Sequence, residues 1–254
     1  LGTDWSEGMN EYGVGVVNSA LLVGRDEAEK KLVKTIGKKS QDGQRIRAAL
    51  SKKKLKAVID AVCSISGGVK GHTFVADAKK AFSVEQTSKH DCVVKEVSTE
   101  NPHARTNHGF NYGDAGYTEG EDYLSSVIRR DNAEQVLRQI DKIEGVAPAL
   151  VNRRNKDRAD PNNIVRKTDN MSTNSQMVLD LEGRRMLLYL LPGQVTWKGV
   201  DNRHPGGRKP KIKAEVYRYR GMGKDKVTTT RLKTAGPASA SRIAGRHLAG
   251  DANE

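Results

Sequence analysis

Apolar positions in this chain follow two periods. At Ile46, Ala49 and Leu50, and again at Leu55, Val58, Ile59 and Val62, they recur at helical spacing and predict two helices with one buried stripe each. A longer helix is expected from Tyr123, with Leu124, Val127, Ile128, Val136, Leu137, Ile140 and Ile143 as its stripe. Shorter helices are expected over Asp26 to Lys34, stopped at Gly37, and over Ala147 to Asp157. Strand-like runs cover His72 to Ala76, Phe82 to Gln86 and Cys92 to Val97, the first two joined as a hairpin through Asp77 to Lys80. A second hairpin is expected from Ser175 to Leu181 and Arg185 to Leu191 around Glu182-Gly183, and Ile212 to Tyr219 reads as a last strand. Before all of these, a polar turn from Glu7 to Gly13 delivers the chain into an almost wholly apolar strand, expected to be buried on both faces.

That opening strand carries the polar pair Asn18-Ser19, which must find hydrogen-bond partners. Two readings are open for Asn18: a carboxamide that ties down a neighbouring strand, or an amide donor aimed at a reacting oxygen. Further on, Ala104 to Gly109 reads as a strand ending in Asn-His-Gly, and Asn111 to Gly116 as a glycine-rich loop of the kind that lines sites. Alternation along such a strand would send Asn107 and His108 to opposite faces. Ser125-Ser126-Val127-Ile128-Arg129-Arg130 opens the long helix, with arginine stems expected to cover the rim of the stripe. His72 and Glu85 stand in the strand region, where a histidine is more often a packing residue than a chemical one.

The turn Gly8-Met9-Asn10-Glu11-Tyr12-Gly13, with Asn18 after it, resembles a motif of the N-terminal-nucleophile hydrolases of the choloylglycine hydrolase and penicillin acylase group and their related acyltransferases. Thr106-Asn107-His108 and Ser125-Ser126-x-x-Arg129 resemble two further blocks of that group, and His72, Ala76-Asp77 and Glu85 match a fourth loosely. The resemblance spans about Asp4 to Gly193. It implies an α+β fold, a four-layer αββα sandwich of stacked antiparallel sheets, and cleavage or transfer of an acyl group at a linear amide of a small molecule. Asn18 is expected to hold the oxyanion, Asn107 to position the nucleophile or intermediate, and Arg129, or its neighbour Arg130, to reach the active site. No cofactor or metal is implied, and the substrate-binding residues are not identified.

The family's nucleophile block precedes the Gly-Met-Asn-Glu turn by several strands. The expectation is therefore that a preceding segment or a second chain supplies those strands, or that the domain has lost its chemistry. Thr3 is the local alternative as a nucleophile. Neither Cys63, on an expected helix, nor Cys92, on an expected mid-sheet strand, fits the role.

Composition changes this picture in two places. Of a net charge of +13 over 254 residues, most of the excess lies between 203 and 233, with eleven Lys or Arg against two acidic residues. Such a segment can attract nucleic acid or another acidic surface, a weak signal here because no RNA- or DNA-binding motif accompanies it. This gives the rival reading, an inactive domain of the same fold that binds a partner through a basic tail. The domain is expected over 1–220 and a flexible basic extension over 221–254, with self-association into a homo-oligomer left open. No apolar run is long enough for a membrane helix, and the two cysteines lack metal spacing; they are read as reduced, packed thiols of a cytoplasmic protein, with a single disulfide as the alternative.

Overall fold

The Gly-Met-Asn-Glu turn is built around one side chain. In the computed structural model, which describes residues 7–21, 42–64, 71–87, 90–151, 160–165, 173, 175–190, 213–222 and 227–235, Asn10 sits buried between two short strands. Its Oδ1 accepts the N–H groups of Tyr12 and Val14, each at 3.0 Å, and its Nδ2 donates to the carbonyl of Lys52 at 2.8 Å. Gly13 follows at φ +82, which an L side chain adopts only with strain. The turn thus closes β1 (Glu7–Met9) onto β2 (Gly15–Ala20) and ties both to the connection between two helices.

Those helices are α1 (Asp42–Leu50) and α2 (Leu55–Ser64), as the apolar spacing predicts. The strand predictions hold as well: β3 (Gly71–Ala76), β4 (Ala81–Glu85) and β5 (Val93–Val97) continue an antiparallel sheet in the order β1-β2-β3-β4-β5. Asp77 makes the hairpin between β3 and β4, its Oδ1 accepting the N–H groups of Lys79 and Lys80. One face of the sheet presents Val16, Val75 and Val84, which pack with Ile46, Ala49, Val58, Ile59 and Val62 of the two helices. Gly8 belongs to this packing, since a Cβ there would run into Leu50.

Some expectations need correction. β5 is an edge strand with exposed Val94, so Cys92, just before it, is not mid-sheet. Cys92 is bonded to Cys63 of α2, with Cα atoms 5.6 Å apart, and no free cysteine remains, so the reduced-thiol reading gives way to the disulfide alternative. Residues 104–109 form no strand; they run as an extended loop with an isolated bridge between His108 and Gly116. The β2 strand is buried through Gly15 and Val16 and half-buried from Val17 to Ser19, less enclosed than expected.

Helix α3 (Gly120–Leu137) exists, but its buried face is not the expected stripe. Leu124 is 58% exposed, and Ser125, Ser126 and Ala133 are the residues turned inward. Ile140 and Ile143 lie beyond its end, and Ile143 begins α4 (Ile143–Leu150). The chain divides into two compact units, Leu1–Glu134 and Gln135–Glu254.

In the second unit, β6 (Ser175–Asp180) and β7 (Arg185–Leu190) form the expected hairpin. Strand β8 (Lys213–Met222) runs parallel to β7, so this sheet is mixed and not wholly antiparallel. The expected domain end at residue 220 falls inside β8, and β9 (Val227–Ala235) pairs with it, so that part of the presumed flexible extension is a strand. Pro148 inside α4 has no N–H for the carbonyl of Glu144 four residues back, and the Tyr189 hydroxyl donates to that carbonyl instead, at 3.2 Å. The expected helix over Asp26 to Lys34, Thr3 and residues 152–159 lie outside the described residues. Helices and largely antiparallel sheets make the architecture α+β.

Candidate active site

Strand register builds a polar row on the face of the first sheet turned away from α1 and α2. Ser19 pairs with His72 and His72 with Glu85, so three polar side chains line up across β2, β3 and β4. The extended segment 106–111 crosses this row, meeting one strand at a time. Ser19 donates to the carbonyl of Thr106 at 3.2 Å, and His72 Nε2 donates to the carbonyl of His108 at 2.8 Å. The carboxylate of Glu85 accepts the N–H groups of Phe110 and Asn111 and the Asn111 carboxamide, the shortest at 2.7 Å. Glu85 is fully buried, and these amides replace its water.

Helix α3 grips the same segment through Ser126. Arg130 Nη1 lies 3.2 Å from His108 Nε2 and can only donate, so that nitrogen is the acceptor and the ring proton sits on Nδ1. Nδ1–H then donates to Ser126 Oγ at 2.9 Å, which also accepts the N–H of Asn107 at 2.8 Å and donates to Thr106 Oγ1 at 3.0 Å. Thr106 closes the circuit on the carbonyl of Ser126. Burial, reinforced by Arg130, pushes the His108 pKa down to about 4. Ser126 and His108 therefore have the spacing of a nucleophile and its base without the chemistry: the imidazole nitrogen facing the hydroxyl already carries a proton, and Ser126 is wholly buried.

His72 is held neutral in the same way, burial lowering its pKa against the opposing charge of Glu85. Its Nε2 carries the donated proton, leaving Nδ1 without a hydrogen bond at 3.9 Å from Glu85 Oε2.

The three residues singled out by the sequence divide between the two faces. Arg129 Nη2 donates to Asn107 Oδ1 at 3.0 Å, and Arg129 Nε lies 3.5 Å from Ser125 Oγ, so residues 22 positions apart join one cluster. Arg130 serves His108 and is paired with Asp131. The side chains of Asn107 and His108 go to different arginines, although no strand forms here to impose alternation and both residues bond Ser126 Oγ. Asn18 stands with Val16 on the helix-covered face. Its Oδ1 accepts from Thr73 of β3 at 2.9 Å and from Arg45 of α1 at 3.3 Å, which is the strand-tying arrangement. Its neighbour Ser19, on the polar face, is the one that reaches the 106–111 segment.

Arg105, Phe110 and the inward pair Ser125 and Ser126 were not selected as site residues from sequence. The guanidinium of Arg105 stacks 3.9 Å from the Phe110 ring and 5.3 Å from that of Phe74. Burial lowers its pKa, opposed by Glu134 and Glu85. The available signal was two adjacent serines at the start of an otherwise amphipathic helix, facing where apolar residues would pack.

No group of three or more metal-ligating side chains occurs among the described residues, and none of their helices is long and apolar enough to cross a membrane. Compared with known proteins, the chain matches no family model and no curated protein.

Proposed function

We propose that this domain is an N-terminal-nucleophile hydrolase or acyltransferase acting on a linear amide, with the stacked αββα arrangement of that group. The reading is supported by one observation above the rest: Thr106-Asn107 and Ser125-Ser126-x-x-Arg129, two of the four blocks carrying the resemblance, meet in a single hydrogen-bonded cluster. A half-buried guanidinium holding a carboxamide can orient an acyl group and stabilise developing negative charge. In this reading Asn107 and Arg129 position the acyl intermediate. The nucleophile comes from a segment outside the described residues, and the strand-tying role is assigned to Asn18. The acyl-enzyme passes to water or to an acceptor amine.

The test is release of nitroaniline from a panel of N-acyl nitroanilides, acetyl through long-chain and phenylacetyl, by the natural full-length polypeptide. Turnover that falls by about a hundredfold or more in folded Arg129→Ala and Arg129→Lys proteins supports the reading. No release from any member of the panel, or release indifferent to Arg129, contradicts it.

A further inference from the structure

Around Phe110 the carboxylates near Arg105 are committed elsewhere. Glu85 holds the N–H groups of Phe110 and Asn111, Glu134 accepts the N–H of Ala104, and Asp131 is paired with Arg130. Among the described residues Arg105 makes one hydrogen bond, from Nη1 to the carbonyl of Ala104, and its buried Nε has no partner. A guanidinium has five N–H groups; with Nε enclosed and one Nη1 hydrogen on Ala104, the end of the fork, Nη2 and the second Nη1 hydrogen, is left for a ligand. It lies over the Phe110 ring at 3.9 Å from the centroid, and Phe110 remains 44% exposed although His108 also stacks on its ring. A second cation, Arg130, lies 5.5 Å from the centroid of that ring.

We propose that Arg105 and Phe110 form a subsite for a small organic carboxylate, the guanidinium taking the carboxylate and the ring its apolar body. A planar, stacked fork with unused donors is the form of arginine that recognises carboxylates in bidentate fashion. Arg105 is two residues from Asn107, so the subsite adjoins the candidate active site. Identifying the carboxylate as part of the amide substrate rests on the function proposed above; the binding itself does not.

The test uses the natural full-length polypeptide with phenylacetate and its neutral counterpart phenylacetamide, measured by calorimetric titration. Phenylacetate is expected to bind about tenfold tighter or more, with the preference lost in Arg105→Gln and partly kept in Arg105→Lys. Equal binding of the two, no binding of either, or a preference that survives Arg105→Gln overturns the proposal. Should Arg105→Gln fail to fold, Arg105→Lys decides, with an undiminished preference counting against the subsite. Turnover of para-(phenylacetamido)benzoate against the corresponding benzamide separates the two claims. An Arg105-dependent binding preference without any turnover removes the amide reading and leaves the subsite. Turnover without that preference does the reverse.

Discussion

The two faces of the five-stranded sheet are held by different physics. One packs Val16, Val75 and Val84 on the helices α1 and α2, where stability follows apolar area removed from water. The other buries His72, Glu85 and Ser19 under an extended segment, where stability depends on each donor meeting an acceptor. The buried polar face holds its covering segment in one place through these pairs.

Adjacent residues Val84 and Glu85 allow the sharpest comparison, since they point to opposite faces of β4. Glu85→Gln keeps the shape but turns donors toward the N–H groups of Phe110 and Asn111, and should cost about 3 kcal/mol or more in urea unfolding. Val84→Ala, on the other face, should cost about 1–3 kcal/mol as an ordinary cavity. A larger loss for Val84→Ala would reverse the comparison. Reduction of Cys63–Cys92, which closes a loop of 29 residues on the helix-covered side, should lower stability by about 3 kcal/mol with the polar face intact. An unchanged unfolding midpoint after complete reduction would remove the disulfide from the account.

A second contrast separates the faces by pH. His108 is neutral in the fold until about pH 4, whereas an unfolded histidine takes up its proton near 6.5. Between those values the unfolded chain binds more protons, so stability falls as pH is lowered through that window and stops falling from this source below it. His72 acts in the same direction. His108→Gln should flatten the decline by up to about 1.4 kcal/mol per pH unit, while Val84→Ala should run parallel to the parent. Parallel curves for both variants would show that the polar face does not titrate as described.

Much of the helix-covered face was legible in the sequence because it obeys periodicity: Ile46 to Val62 at helical spacing and the strands that carry Val75 and Val84. The polar face was legible only in fragments. Its order comes from register, Ser19 beside His72 beside Glu85, and register between strands cannot be read from any one of them. The stripe expected for α3 failed for the same reason. Ser126 turns inward to satisfy Asn107 and His108, and Leu124 is carried outward with the rotation. Strand β9 was missed because its threonines and basic residues lack alternation, and its pairing with β8 supplies what composition did not. Asn18 was correctly marked as polar and in need of partners, but which face it occupied depended on Arg45 and Thr73, 27 and 55 residues away.

The assignment of Asn107 to the acyl site and of Asn18 to the framework is the central claim. It is tested most directly by the turnover, per folded molecule, of Asn107→Ala and Asn18→Ala forms of the natural polypeptide on the best nitroanilide found. The account predicts a loss of about a hundredfold or more for Asn107→Ala. For Asn18→Ala it predicts turnover within about threefold of the parent, with stability reduced by about 1–2 kcal/mol. Loss of turnover confined to Asn18→Ala, at unchanged stability, would contradict it and return the oxyanion to Asn18.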